Sequence, residues 1–269
     1  WRLNLETLNI YHLCDWLIKP ATKEWNCSLV ELIAESPQPP EWFVIHWWGN
    51  GIMDFLDCLS EQAFLRGLAH DIGWWVCAYA TRLHSLQDEV SSSLMDSSFY
   101  RAMQQAIGVL LVLDKDATAL ERMWCAFEEI EAVTMSGAYR EHDAEHERTP
   151  RLLDIVVSHE GDPIVLTEGP VDHDCIDHKI SLSKASREER FPMHIIERGL
   201  ALRLDRAKAT EKSDQDRIIQ WFCMRDISIE EANNRLRSIF AIAFWRQCIV
   251  KKKVADMKLH EVLAKDRNR

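Results

Sequence analysis

The side chains best suited to chemistry fall in five places. Glu128-Glu129-Ile-Glu131 sets three carboxylates within about one helical turn. By itself such a run reads as a solvated acidic helix face, with the nearby Trp124 as an ordinary core residue. His142-Asp-Ala-Glu-His146 spells HxxEH, in which two histidines at i and i+4 share a helix face and can hold one zinc ion. That stretch lies within the charged, proline-containing segment Tyr139–Arg151, which reads as a surface loop with no third ligand in sight. Asp172-His-Asp-Cys-Ile-Asp-His178 is equally rich in ligand-type groups and also reads as a loop. No metal site is therefore expected. Cys125 beside Trp124 is a nucleophile by type, yet an apolar helix buries such a thiol by default. His46, on an apolar run, reads as a hydrogen-bonded core histidine rather than a general base.

Positioning any of these groups requires a scaffold, and the hydrophobic pattern supplies one. Leu5, Leu8, Leu13, Trp16 and Leu17 fall roughly on one helical face, and Pro20 is expected to stop that run. A second short helix is predicted over Ser28–Ala34. Ser36-Pro-Gln-Pro-Pro40 then reads as an extended hinge, because each proline fixes its own φ and disfavours helix at the residue before it. This divides the chain into a helical segment 1–40, a main domain 41–225 and a C-terminal helix 226–269.

Within the main domain strands and helices alternate. Trp42–Trp48 reads as a strand, followed after Gly49-Asn50-Gly51 by a helix carrying Ile52, Phe55, Leu56, Leu59, Phe64, Leu65 and Leu68. Gly73–Ala80 is a second strand, and a helix follows near Ser97–Ala106 with Ser97 or Ser98 as its cap. Gly108–Leu113 is wholly apolar, as in a parallel strand covered on both faces. A helix over Thr118–Thr134, strands at Leu152–Ser158 and Ile164–Leu166, a helix over Arg187–Arg198, a fifth main strand at Leu200–Arg206 and a helix over Ser213–Phe222 complete the pattern. The expected fold class is α/β, a doubly wound five-stranded parallel sheet, since parallel neighbours need crossover helices that cover both faces. Ligands then sit beyond the carboxyl ends of the strands, at Trp47–Gly51, Thr81–Leu86 and Asp114–Ala117. The tail opens with the capping box Ser228-Ile-Glu-Glu231 and continues as one helix through Leu236, Ile239, Phe240, Ala243 and Ile249.

Composition narrows the function. The 269 residues are 47% hydrophobic and 28% charged, with only 9 Gly and 8 Pro, which excludes disorder and low complexity. A formal net charge of −11 gives no general electrostatic case for nucleic acid as a partner. From Lys251 onward seven Lys or Arg stand against three Asp or Glu, a solvated helix end or a basic contact for a partner or membrane surface. The longest apolar runs fall far short of the roughly 20 residues of a transmembrane helix. Eight scattered cysteines without a CxxC pair read as reduced, buried thiols of a cytoplasmic protein. The chain opens at Trp1 with no signal peptide visible, so its native start is expected upstream. Tryptophan is in excess, at 11 residues against 9 Phe and 4 Tyr, and five of them (42, 47, 48, 74, 75) cluster on or beside the first two strands.

Three segments together resemble the Toll/interleukin-1 receptor (TIR) domain superfamily. Phe43-Val-Ile-His-Trp-Trp-Gly49 looks like its first strand and glycine-containing loop, Gly108–Asp114 like its third strand, and Met123-Trp-Cys-Ala-Phe-Glu128 like the Trp-Cys-x-x-Glu segment of plant-type members. The trio, with Trp-Val-Cys-Ala of the second strand, is similar to a TIR-like family of unicellular algae. The resemblance covers roughly two thirds of the chain, from about 41 to 225, and implies a flavodoxin-like sheet.

The resemblance implies two functions. TIR domains self-associate as signalling scaffolds, so a homo-oligomer is implied, and some cleave the nicotinamide–ribose bond of NAD. In the second case NAD is the substrate, no metal or further cofactor is needed, and the catalytic glutamate falls at Glu128. A carboxylate suits that reaction because departure of nicotinamide develops oxocarbenium charge on the ribose. Trp124, four residues earlier, shares a helix face with Glu128 and would shape the pocket. Trp47, Trp48 and Gly49 would line the first loop, where an indole stacks on a flat ring and glycine permits close approach. A helix beginning at the capping box Thr118-Ala-Leu-Glu121 would set Glu128 ~15 Å along its axis from the ligand-binding edge. The nucleosidase reading therefore favours an irregular Asp116–Glu121 and a helix starting near Arg122. The sequence departs from TIR enzymes after the second strand, where Cys77-Ala-Tyr-Ala80 and Thr81-Arg82 replace the acidic residue often found there.

Overall fold

The computed structural model describes residues 7–86, 94–135, 151–171, 174, 180–209, 212–225 and 227–267. Five strands form one sheet: β1 Trp42–His46, β2 Trp74–Val76, β3 Gly108–Leu113, β4 Leu152–His159 and β5 Asp162–Leu166. Their spatial order is β2-β1-β3-β4-β5. The first four are parallel, with Trp42 opposite both Trp74 and Gly108, and Gly108 opposite Leu152.

The fifth position departs from the expected all-parallel sheet. β5 runs antiparallel to β4, with Ile155 opposite Leu166 and His159 opposite Asp162. The cause lies in Glu160 and Gly161, whose φ values of 54° and 86° make a two-residue reverse turn that returns the chain directly beside β4. Leu200–Arg206 is not a strand. Leu200 ends a helix and Leu204–Arg206 is a single 3-10 turn. The alternation of Leu200, Leu202 and Leu204 arises because Leu202 and Leu204 are buried while Arg203 and Asp205 pair with each other at the surface.

Helices cover both faces. On one side lie the N-terminal helices and α4 (Ile52–Arg66), whose Ile10, Cys14, Ile18, Ile52, Phe55 and Cys58 pack with Trp42, Val44, Leu110 and Val112. The N-terminal run comprises α1 (Ile10–Leu13), a π-helical turn over Cys14–Ile18 and α2 (Lys19–Thr22), followed by α3 (Leu29–Ile33). Pro20 does not stop this run. Lys19 N–H bonds back five residues to the Cys14 carbonyl, and the widened turn makes room for the ring that would clash in a regular helix. Backbone bonds from Ile10 to the Trp48 carbonyl and from Ile52 to the Leu8 carbonyl fasten this segment to the loop after β1.

The other face carries α6 (Ser98–Gln105), α7 (Met123–Met135), α9 (Met193–Leu200), α10 (Lys212–Met224) and α11 (Ile229–Arg267). Phe43, Ile45, Val109, Leu111, Ile155 and Val157 point into this layer, the complementary set of the strand alternation. The short α5 (Cys77–Ala80) follows β2 directly, so the second strand is shorter than its apolar run suggested: β2 pairs with β1 only as far as Val76, and the chain turns at Cys77. α8 (Ile180–Glu188) and α9 are separate helices where one was expected over Arg187–Arg198, because Pro192 has no N–H and disfavours helix at Phe191. Ser97 caps α6 by accepting the Tyr100 N–H, and Ser228 caps α11 by accepting the Glu231 N–H. No helix among the described residues is long and apolar enough to cross a membrane.

Candidate functional site

The approach to Glu128 begins at the end of β3. Asp114 there binds Thr118 twice, accepting its N–H at 2.6 Å and its hydroxyl at 2.8 Å. Ala117 takes a left-handed φ of 49°, Thr118–Glu121 forms a 3-10 turn, and Arg122 is extended. Thr118 and Glu121 thus make no capping box for a long helix. α7 begins at Met123, which sets Glu128 only about 8 Å along the helix from its start. The Cys125 thiol, one turn before Glu128, donates to the His46 carbonyl at 3.7 Å, tying α7 to the carboxyl end of β1.

The acidic run is not a solvated face. Glu128, Glu129 and Glu131 are all buried. Burial pushes the Glu128 carboxyl up to about 8, and among the described residues it has no hydrogen bond or ion pair. Glu129 is pushed well above the usual carboxylate range by burial and then by Glu128, and its Oε1 has no partner among the described residues. Glu131 is pushed up to about 7 by burial, opposed by Arg225 and Arg235, and pairs with Arg225 at 3.3 Å. Among the described residues Glu128 and Glu129 are thus both buried carboxyls without a counter-ion, whereas Glu131 is paired.

Its surroundings are the thiols and indoles of two strand ends. Cys77 and Cys125 are raised by burial and, next, by the charge of Glu128, so neither is an activated nucleophile. Trp48 donates its indole N–H to Cys77 Sγ at 3.0 Å, and its ring tilts against Tyr11 at 5.6 Å. Trp47 lies across Gly49: a Cβ there would stand 2.2 Å from the indole ring, so only glycine leaves room for it. Trp124 stacks on Phe99 at 5.8 Å, meets Phe127 edge-on and donates its N–H to Asp214 of α10 at 2.9 Å. At the carboxyl edge of the sheet Trp48 is bonded to Cys77, and Cys77 is near enough to Glu128 to be raised by its charge, with Trp47 and Gly49 on the adjoining loop. Trp124 belongs to an aromatic row running Phe43, Trp75, Phe99, Trp124, Phe127 and Trp221.

The remaining candidates sort as follows. His46 is buried against Phe55 and lowered to about 4 by burial, which a backbone hydrogen bond at Val44 opposes only in part, so the ring stays neutral; it is the hydrogen-bonded core histidine expected, with its Nε2 lacking a partner among the described residues. The His142–His146 motif lies outside the described residues, as does most of Asp172–His178. Asp174 of that stretch is buried, accepts the Val171 N–H and pairs with Arg187 at 2.8 Å. No group of three metal-ligating side chains occurs among the described residues. Among the described residues the cysteines are free.

Sequence reasoning missed one buried charge centre. Asp154, in the middle of β4, is fully buried and held by Arg66 through Nε at 2.9 Å and Nη2 at 2.5 Å, by Gln62 at 2.9 Å and by the Glu168 N–H at 3.1 Å. Every bond is saturated by α4 and the chain after β5, so this centre fastens the helix to the sheet edge. An acidic residue inside an apolar strand was the available signal. No family model matches the chain, and neither does any curated protein or solved structure.

Proposed function

We propose that this chain is a TIR-like, flavodoxin-like α/β protein that cleaves the nicotinamide–ribose bond of NAD with Glu128. One observation carries the reading: a buried carboxyl without a counter-ion among the described residues, at the carboxyl edge of a sheet ordered 2-1-3-4-5. An unpaired buried acid costs stability, and such a cost is tolerated chiefly at functional sites. A cationic nicotinamide ring beside it favours the ionised form, and the anion then stabilises the oxocarbenium-like ribose as the bond breaks. Trp48 fixes the loop through Cys77, and Trp47 supplies the flat face for the ring once its indole leaves Gly49. Trp124 orients α7 through Asp214 and flanks the site.

A second reading rests on the same indoles. Trp124 is engaged by Phe99, Phe127 and Asp214, and Trp47 covers Gly49, the arrangement of a filled cleft. It favours a non-enzymatic TIR-like scaffold acting by self-association or partner binding. Incubation of wild type and Glu128→Ala with NAD, at protein concentrations spanning any self-association, separates the two. Nicotinamide release by wild type and none by the variant is the expected result. Turnover independent of Glu128, or none even when assembled, sinks the nucleosidase reading.

A further inference from the structure

A cavity of about 420 Å³ lies between the β4–β5 edge of the sheet and α11, a volume typical of small-molecule sites. Leu153 and Ile155 of β4 and Leu166 of β5 form its floor, and Ile239, Ile242 and Ala243 of α11 its opposite wall. Leu153 stands near the start of β4 and Leu166 ends β5 opposite Ile155, so the cavity is at the amino edge of the parallel strands, away from Glu128. The chamber is open to solvent, and among the described residues its lining is largely apolar, as in sites that take small organic molecules.

The polar end of the chamber defines the chemistry of an occupant. Glu188 accepts the Thr167 N–H at 2.8 Å, contacts Lys184 directly, and faces Arg187 at 3.9 Å and Arg246 at 3.2 Å. Lys184 also donates to the Thr167 carbonyl at 2.6 Å, and Arg187 is held by Asp174. Arg246 differs from both. Its side chain is 48% exposed and lines the chamber, and among the described residues its one hydrogen bond leaves from Nη1, so Nε and Nη2 have donors to spare. One half-committed guanidinium suits a monoanion, and its fork matches a carboxylate; a phosphate dianion would need a second uncommitted cation.

We propose that this cavity binds an amphipathic monocarboxylic acid, its apolar body between Ile155, Leu166 and Ile242 and its carboxylate on Arg246. Decanoate, below its aggregation threshold, is the probe, with decan-1-ol as the uncharged analogue, titrated calorimetrically into the full chain. Wild type is expected to bind decanoate about tenfold more tightly than decan-1-ol, and Arg246→Gln to remove that preference while leaving the alcohol unchanged. Ala243→Phe fills the chamber, and Ile242→Glu, at a half-exposed rim position, sets a charge at the mouth without disturbing the core; each is expected to abolish binding of both probes. Decanoate that fails to bind wild type, binds no better than the alcohol, or binds a folded Ala243→Phe or Ile242→Glu chain as well as wild type overturns the proposal.

Discussion

Trp48 donates its indole N–H to the thiol sulfur of Cys77 at 3.0 Å, joining the loop after β1 to the turn after β2. The two strands pair over only three positions, so this contact extends their association beyond the last ladder bond. Cys77→Ala leaves the indole without its acceptor and is expected to lower stability by about 1 kcal/mol in urea titration, whereas Cys77→Ser retains most of it. Equal losses for the two variants would show that packing of the sulfur, not its acceptance of the N–H, fastens the loop.

Glu128 links stability to pH with a definite sign. Its folded pKa is about 8 and the ordinary carboxylate value is 4.5, so between these values the native state holds a proton that the unfolded chain has released. Stability contributed by this group is therefore full below about 4.5 and declines as pH rises towards 8, by about 1.4 kcal/mol per pH unit. Glu128→Gln removes this group's share of the decline and leaves that of the raised Glu129 and Glu131. Denaturant titrations at pH 5 and pH 8 are expected to show the variant ahead of wild type by a margin that grows with pH; a margin independent of pH contradicts the buried, uncompensated carboxyl.

The same proton sets the expected rate profile of the proposed nucleosidase. Only the ionised carboxyl stabilises a cationic ribose, so nicotinamide release at subsaturating NAD should rise with pH, reach half its maximum near 8 and level off above that. A profile that falls over this range would mean that Glu128 acts as a proton donor instead.

Gly49 reports on the covered loop. The Cβ of Gly49→Ala would lie 2.2 to 2.5 Å from ring atoms of Trp47, so the indole must swing away. Overpacking of this kind costs about 1–3 kcal/mol, and the displaced indole should shift tryptophan emission to the red. Unchanged emission and stability would place Trp47 elsewhere.

Asp154 and Arg66 form a buried pair, and breaking it from one side leaves the other charge stranded. Asp154→Leu or Arg66→Met alone is expected to cost about 3–5 kcal/mol, and the double variant much less than their sum. Additive losses in a thermodynamic cycle would deny the coupling.

The strands were legible where burial is two-sided. β1, β3 and β4 read directly from apolar runs because helices cover both of their faces. The carboxyl-edge loops followed from that order. The false strand at Leu200–Arg206 shows the weakness of period-two reading: leucines at alternate positions, running from a helix end through coil into a 3-10 turn, leave the same trace as a strand. The burial of Glu128, Glu129 and Glu131 had no local signature, since Arg225, in the turn after α10, and Arg235, on α11, which answer Glu131, lie about a hundred residues away. Asp154 meets Arg66 across a sequence separation of 88 for the same reason.

The reversal at Glu160-Gly161 also bears on how the sheet assembles. Pairing β1 with β3 or β3 with β4 requires the chain to close a long segment first, at an entropic cost that grows with the logarithm of its length. β5 meets β4 across two residues. The outermost strand of the sheet is thus the one whose ladder has the lowest contact order, so this edge can zip shut before the centre has found its neighbours.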